Sequence, residues 1–417
     1  MSVSDQRGIP TTAADANGQQ INPGVLRWAR ETAGLTLDEA AQRLGLTTSA
    51  RSSAADKLAD IESGRRAPSV AQLLRAATIY RRPLVVFYLA EPPVPGERGE
   101  DFRTTGAQVT PRDNAILDAL LRDLRARQQL LRAMLEDEEE AGPLAFVRTA
   151  DVGDDPTRVA AAIRSCIGVT LRAQREAKGP EPLFALLRAA AELIGVYVLL
   201  LGDLGSHHSD IGENVFRGVA IADNVAPFIV INDNDAQAAR SFTLLHELAH
   251  IWLGASGVSG PLAGPGPNKV ENFCNEVASE LLLPASELAD SGAIRGADFR
   301  TVLRATEELA RAWNVSQSLV TYRYLRRGWI SHQMAGELFG YFADRLRRFK
   351  QQNRASRDSE DTGPSYYIVR RHRLGRALLD VVRRGLQGDV ITHTKAAKIL
   401  GVSPASVGPL LARPGAA

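Results

Sequence analysis

Cysteine is nearly absent: Cys166 and Cys274 are the only two in 417 residues, and neither belongs to a C-x-x-C pair. That count excludes a disulfide framework, and both thiols read as small buried hydrophobes. Long apolar runs are also lacking. The longest, Ile194–Leu201, has eight residues, far below the ~18 that a membrane helix needs, and suits a buried strand. No membrane span is expected. The opening "MSVSDQRGIPTTAADANGQQ" has neither the basic start nor the apolar middle of a secretory signal, so the protein reads as cytoplasmic. Neither charge dominates, with 50 Lys and Arg against 48 Asp and Glu. The balance is uneven, because residues 366–417 carry nine arginines and lysines against two aspartates. Such a basic end suits nucleic acid, an acidic protein face or plain solvation.

What is present is globular in composition, 44% hydrophobic and 24% charged, with length for two or three cores at ~150 residues per domain. Residues 1–22 are small, polar and aperiodic and read as disordered. In "VLRWARETAGLTLDEAAQRLGL" one helix ends near Gly34 and a second runs from Thr36 to Leu44, stopped by Gly45. A third helix, a turn with Gly64 and Pro68, and a fourth amphipathic helix follow. Ala40, Ala41, Leu44, Gly45 and Leu46 have helix-turn-helix spacing, with small residues where helices cross and glycine at the turn. Residues 23–91 thus resemble the Xre-type helix-turn-helix of phage-repressor-like proteins, whose third helix ends like Ile61-Glu62-Ser63-Gly64. The stretch "LTTSARSSAADK" before Leu58 is longer than the usual turn, at the start of the helix that would meet base edges. DNA and protein both remain open as partners of this domain.

Residues 92–145 hold a Pro/Gly-rich linker and a long charged helix from Arg112 to about Glu140. Beyond them, helices are expected over Pro156–Ala177 and Glu181–Leu193, and strands over Val196–Leu201, Phe216–Ile221 and Phe228–Ile231. Residues 146–346 therefore read as one domain with a small sheet against helices, and 347–365 as a polar linker. Residues 366–417 form a small helical domain repeating the first motif's spacing at Ala396, Ala397, Leu400, Gly401 and Val402, with Gly408 and Pro409 expected to cut its second helix short. The fold class is α+β, mainly helical.

The chemistry concentrates in "RSFTLLHELAHIWLG", Arg240–Gly254. An α-helix turns about 100° per residue, so His246 and His250 stack on one face about 6 Å apart and can aim ring nitrogens at one ion. Leu244, Leu245, Leu248, Ile251 and Trp252 would bury the opposite face and leave the histidines toward a cleft. Glu247 can then act as general base toward a water at the ion. The cluster Asn232–Asp235 suits the helix start as a cap. Two histidines on a helix can equally be satisfied core residues, so the test is a third ligand. "NKVENFCNEVASELLLP" begins eighteen residues after His250. On its helix Glu271, Asn275, Ala278 and Leu282 share a face: Glu271 can be the third ligand, Asn275 a hydrogen-bond partner one turn on, and small Ala278 a place for close helix approach. Glu271 also completes a capping box with Asn268, and Glu276 and Glu280 are carboxylates on other faces.

Together these segments resemble the ImmA/IrrE family of metallo-endopeptidases, strongly over Pro182–Pro284. The motifs are Phe242, Thr243, His246, Glu247 and His250 after a strand ending in Asn232, then Glu271, Asn275, Leu281, Leu282 and Pro284. Cys274 and Val277 stand where the family more often has alanine and phenylalanine, which changes packing and not ligation. An Xre-type domain is a frequent companion in that family. The resemblance implies a zincin-like catalytic domain of gluzincin type, with Zn²⁺ on His246, His250 and Glu271 and Mn²⁺ chemically admissible. It further implies Glu247 as the catalytic residue, and cleavage of a protein substrate, a transcriptional repressor, in stress-response or mobile-element regulation. The substrate strand is expected along a sheet edge between Phe216 and Asn232, with selectivity from the N-terminal domain. His207 and His208 are either oxyanion stabilisers or solvated loop residues. A DNA-binding regulator with a metal sensor domain, and a toxin–antitoxin-type binding partner, are the competing classes.

Overall fold

The computed structural model describes residues 13–14, 20–93, 100–101, 110–138, 141–204, 210–260, 268–288, 294–357 and 365–412. His207 and His208 lie outside them. The chain divides into two compact units, one of residues 1–98 with 108–122 and the other of residues 99–107 with 123–417. Among the described residues, no helix is long and apolar enough to cross a membrane.

In the first unit four helices, Pro23–Thr32, Leu37–Arg43, Ala54–Glu62 and Val70–Ile79, pack around Leu26, Ala29, Ala40, Ala41, Leu58, Leu73 and Phe87. Each starts where a side chain can accept the orphan backbone N–H groups. Asn22 caps the first helix, and Thr36 with Glu39, Ser53 with Asp56, and Ser69 with Gln72 form capping boxes on the others. The long connection before the third helix is tied down rather than loose. Ser49 and Ser52 form an isolated bridge, and Lys57 Nζ donates to the Thr47 carbonyl at 2.6 Å. Glu62 of the repressor-like ending is buried and accepts two hydrogen bonds from Arg30, at 2.7 and 3.0 Å, joining the first helix to the third.

The second unit is a mixed sheet under helices. Its strand order is Glu100–Asp101, Gly257–Ser259, Gly218–Ile221, Phe228–Ile231 and Tyr197–Leu200. The strand Gly218–Ile221 runs antiparallel to both neighbours, in register Gly218↔Ser259 on one side and Gly218↔Ile231 on the other. The outer two strands pair in parallel. The expected substrate edge between Phe216 and Asn232 is therefore corrected, because both strands of that region are interior and their backbone groups are already paired. Helix Pro156–Ala177 is also corrected: it breaks into Pro156–Ile167 and Leu171–Glu176 at Gly168, whose φ of +67° suits glycine and ends the first helix in a left-handed cap. The helices Gln237–Leu253 and Lys269–Leu282 lie with the sheet in one core that contains Ile229, Ile231, Leu244, Leu248, Ile251, Cys274, Val277 and Leu281.

The basic C-terminal helices belong to this unit. Arg188 donates to the His372 carbonyl at 2.6 Å and the Val198 carbonyl at 2.5 Å, fastening Tyr366–Leu374 to the sheet. Within these helices Arg370 donates to the Gly401 carbonyl at 2.6 Å, Arg371 to those of Leu410 and Pro409 at 2.8 and 2.6 Å, and Arg383 to that of Leu411 at 3.1 Å. Pro404–Leu411 is helical through Gly408 and Pro409, which do not cut it short as expected.

Candidate metal centre

Every residue from Ser241 to Trp252 is buried. The histidines are among them, His246 at 4% and His250 at 1% exposure. The Asn232–Asp235 cluster does not cap this helix, whose first residue has no side-chain cap. Asn232 instead donates to the carbonyls of Ile211 and Phe216, both at 3.0 Å, and fixes the loop that leads into Gly218.

The two helices bring His246, His250 and Glu271 together. One donor atom from each lies within 4.8 Å of the others. His246 Nε2 and His250 Nε2 are 3.2 Å apart, and Glu271 reaches them with one oxygen each, at 3.3 and 3.0 Å. Asn268 caps its helix by accepting from Val270 and Glu271 N–H, but the Glu271 carboxylate turns to the histidines instead of closing the capping box. Asn275, one turn on, lies near enough to His246 to help raise its pKa, while His246 Nδ1 has no hydrogen-bond partner among the described residues. Glu276 and Glu280 point away and hold the helix Gln317–Arg326, through Tyr322 Oη at 2.8 Å and Arg323 Nη2 at 2.7 Å.

The electrostatics suit a cation between these donors. Burial opposes ionisation of Glu271, but the charge and hydrogen bonds of His246 and His250 outweigh it and push its pKa down to about 2. Burial pulls His246 down, yet Glu271, with smaller help from Glu247 and Asn275, raises it above the ordinary histidine value. His250 is lowered, chiefly by burial, and stays neutral more readily. Two imidazole nitrogens this close cannot both point N–H groups at each other, and an ionised carboxylate completes the set. A divalent ion accepts all three donors at once, so the residues fit it.

Glu247 is wholly buried, and burial first, then the Glu271 charge, raises its pKa to about 8. It lies against the backbone of Gly218, where an added Cβ would sit 2.6 Å from Glu247 Cδ. Ser259, across the strand pair from Gly218, has its hydroxyl 3.5 Å from His250 Nε2 and is near enough to Glu247 to lower its pKa, although both Glu247 carboxylate oxygens lack a hydrogen-bond partner among the described residues. Sequence reasoning did not find these two. Gly218 carried a readable signal, since an isolated glycine entering a strand marks close approach. Ser259 had none, as only the sheet register brings it here. Cys274 is buried, and its thiol is raised well above its ordinary value by burial and two nearby carboxylates, which leaves it unreactive.

A core helix with paired histidines facing a carboxylate on the next helix, over a small mixed sheet, defines a metallopeptidase-like domain. Residues 203–325 match a peptidase family model described as the IrrE N-terminal-like domain, and residues 24–86 match one described as a helix-turn-helix domain. The chain therefore carries an IrrE N-terminal-like peptidase domain behind an N-terminal helix-turn-helix domain, as the motif resemblance implied. Comparison with curated proteins and with solved structures returns no match.

Proposed function

We propose that the chain is a cytoplasmic metallo-endopeptidase that cuts a protein substrate, a transcriptional repressor, with His246, His250 and Glu271 holding Zn²⁺ or Mn²⁺. The observation that carries the reading is the buried carboxylate of Glu247 one residue from a converging His-His-Glu set. An ion held there lowers the pKa of a water and polarises a peptide carbonyl. Glu247 accepts the proton that the attacking water gives up and passes it to the departing amine. Asn275, beside His246, is the side chain placed to orient that ring. Gly218, having no side chain, leaves room for Glu247 to lie beside the strand.

The matched helix-turn-helix domain supports a second reading, a DNA-binding regulator whose metal domain is a sensor. Glu247→Gln separates the two. In the peptidase the variant keeps its metal and fold while cleavage of a repressor substrate falls by about 10²- to 10⁴-fold, the usual loss for a general base. A sensor keeps its metal-dependent DNA response in that variant and shows no proteolysis in the wild type.

A further inference from the structure

Beside the metal centre runs a trough of about 830 Å³ that the peptidase chemistry does not use. Its volume lies toward the upper end of the ~300–1,000 Å³ of ligand sites. One wall is the helix His332–Arg357, which turns Phe339, Phe342, Leu346 and Phe349 toward it. Their spacing of three, four and three residues makes a single apolar stripe. The stripe is incompletely covered, since Phe349 is 59% exposed. Phe242 of the histidine helix also lines the trough. Its ring centroid is 6.0 Å from that of His246, so an occupant resting on Phe242 has reached the neighbourhood of the metal donors.

The lining also carries excess positive charge. Arg217 faces Asp235 at 3.6 Å, and Arg345 pairs with Glu307 at 2.7 Å. Arg311 also lines the trough and, among the described residues, has no carboxylate partner. The side formed by Ala343, Arg345 and Phe349 is exposed. Sites for small molecules bury some 70–90% of the ligand, whereas a trough open on one side and lined by an apolar stripe and excess cationic charge is the form that receives a length of chain.

We infer that this trough seats an apolar stretch of the polypeptide substrate, flanked by acidic residues and lying beyond the scissile bond; the inference rests on the peptidase reading. It places part of the side-chain selectivity in the peptidase unit itself. The strand partner expected between Phe216 and Asn232 is already supplied by the sheet, so recognition along the trough takes over a role that backbone pairing was to fill.

The test uses the full metal-loaded chain and a library of proteome-derived peptides. In one arm the wild type and Phe349→Asp digest the library, and cut sites are read by mass spectrometry. The wild type is expected to favour Leu, Ile, Phe or Met several residues from the cut, with acidic neighbours, and Phe349→Asp to lose that preference while keeping the residues chosen next to the cut. Phe349 is exposed, so the variant keeps its fold, checked by an unchanged melting curve. In the other arm the library is captured on Glu247→Gln protein with and without Phe349→Asp, which needs no cleavage. Apolar peptides should bind about tenfold or more tightly to the single variant, the loss expected when one large apolar side chain is left exposed. Equal capture and equal cut-site preferences with Phe349→Asp would overturn the inference, as would capture without apolar enrichment. Apolar capture together with a wild type that cuts nothing would overturn the peptidase reading and leave the trough as a peptide-binding site.

Discussion

Replacing Gly218 by alanine tests the position of Glu247 without touching a metal donor. The strand is paired on both sides, with Ile231 and Ser259, and so cannot step back. An added methyl would lie 2.6 Å from Glu247 Cδ and 2.8 Å from Cγ, where ordinary carbon contacts are about 3.5–4.0 Å. The deficit of about 1 Å must be absorbed by the carboxylate, since the helix behind it is core on every side. Misplacement of a catalytic group by about 1 Å costs on the order of 10²-fold, and overpacking costs about 1–3 kcal/mol of stability. Gly218→Ala should therefore bind metal at wild-type stoichiometry, melt at a modestly lower temperature, and lose about 10²-fold in kcat/KM on repressor cleavage. Shortening the acid should relieve the clash. The double variant Gly218→Ala with Glu247→Asp is expected to be better folded than Gly218→Ala alone, a coupling that two independent sites would not show. Full activity in Gly218→Ala, or additive stability losses in the pair, would refute the argument that this strand sets the base.

Glu271→Ala should abolish metal-dependent stabilisation of the peptidase unit, read as the loss of a melting shift worth about 2.7 kcal/mol when free ion is a hundredfold above its Kd; an unchanged shift would place the ion elsewhere. Glu62→Ala leaves the buried Arg30 with only the Glu31 contact at 3.4 Å and the Leu35 carbonyl, and should cost the helix-turn-helix unit no more than about 3 kcal/mol in urea unfolding. The Asp223 carboxyl is burdened by burial, yet backbone N–H bonds from Ala226 and Val225, with Arg132, hold it below the usual aspartate range. Its stabilisation is complete above the unfolded value near 3.8 and is lost as pH falls through the lower folded value. The stability gap between wild type and Asp223→Asn should thus close on acidification below about pH 4 and stay constant above it, as measured by urea midpoints across that range.

Local periodicity made the helices legible, and the spacing of His246 and His250 made the donors legible, because both are properties of one segment. Glu271 was legible only as a candidate: its helix was clear, but the capping box with Asn268 explained the same residue. The packing of two helices turns its carboxylate to the histidines, and no local pattern reports it. The sheet was misread for the same reason. Phe216–Ile221 and Phe228–Ile231 announce strands through their apolar runs, whereas the short Gly257–Ser259, which makes Gly218–Ile221 an interior strand, has little signature of its own. Asn232 looked like a helix cap by position, yet its amide satisfies carbonyls of the preceding loop, a choice fixed by burial.

The two carboxylates of the centre differ through surroundings alone. Glu271 stands between two imidazoles and at the more open end of the nest, its side chain 12% exposed, and stays ionised. Glu247 lies on the helix side facing the Gly218 backbone, with desolvation as its dominant influence, and resists ionisation. Pairs of acids pushed apart in this way divide into a fixed charge and a proton carrier. The fixed charge is what a cation needs beside two neutral rings, and the proton carrier is what a hydrolytic reaction needs beside that cation. A binding-only partner or a sensor requires the first and has no use for the second. Keeping a carboxylate wholly buried costs stability that a leucine at the same position would not. The buried Glu247 is therefore the feature that argues for chemistry over sensing in this fold.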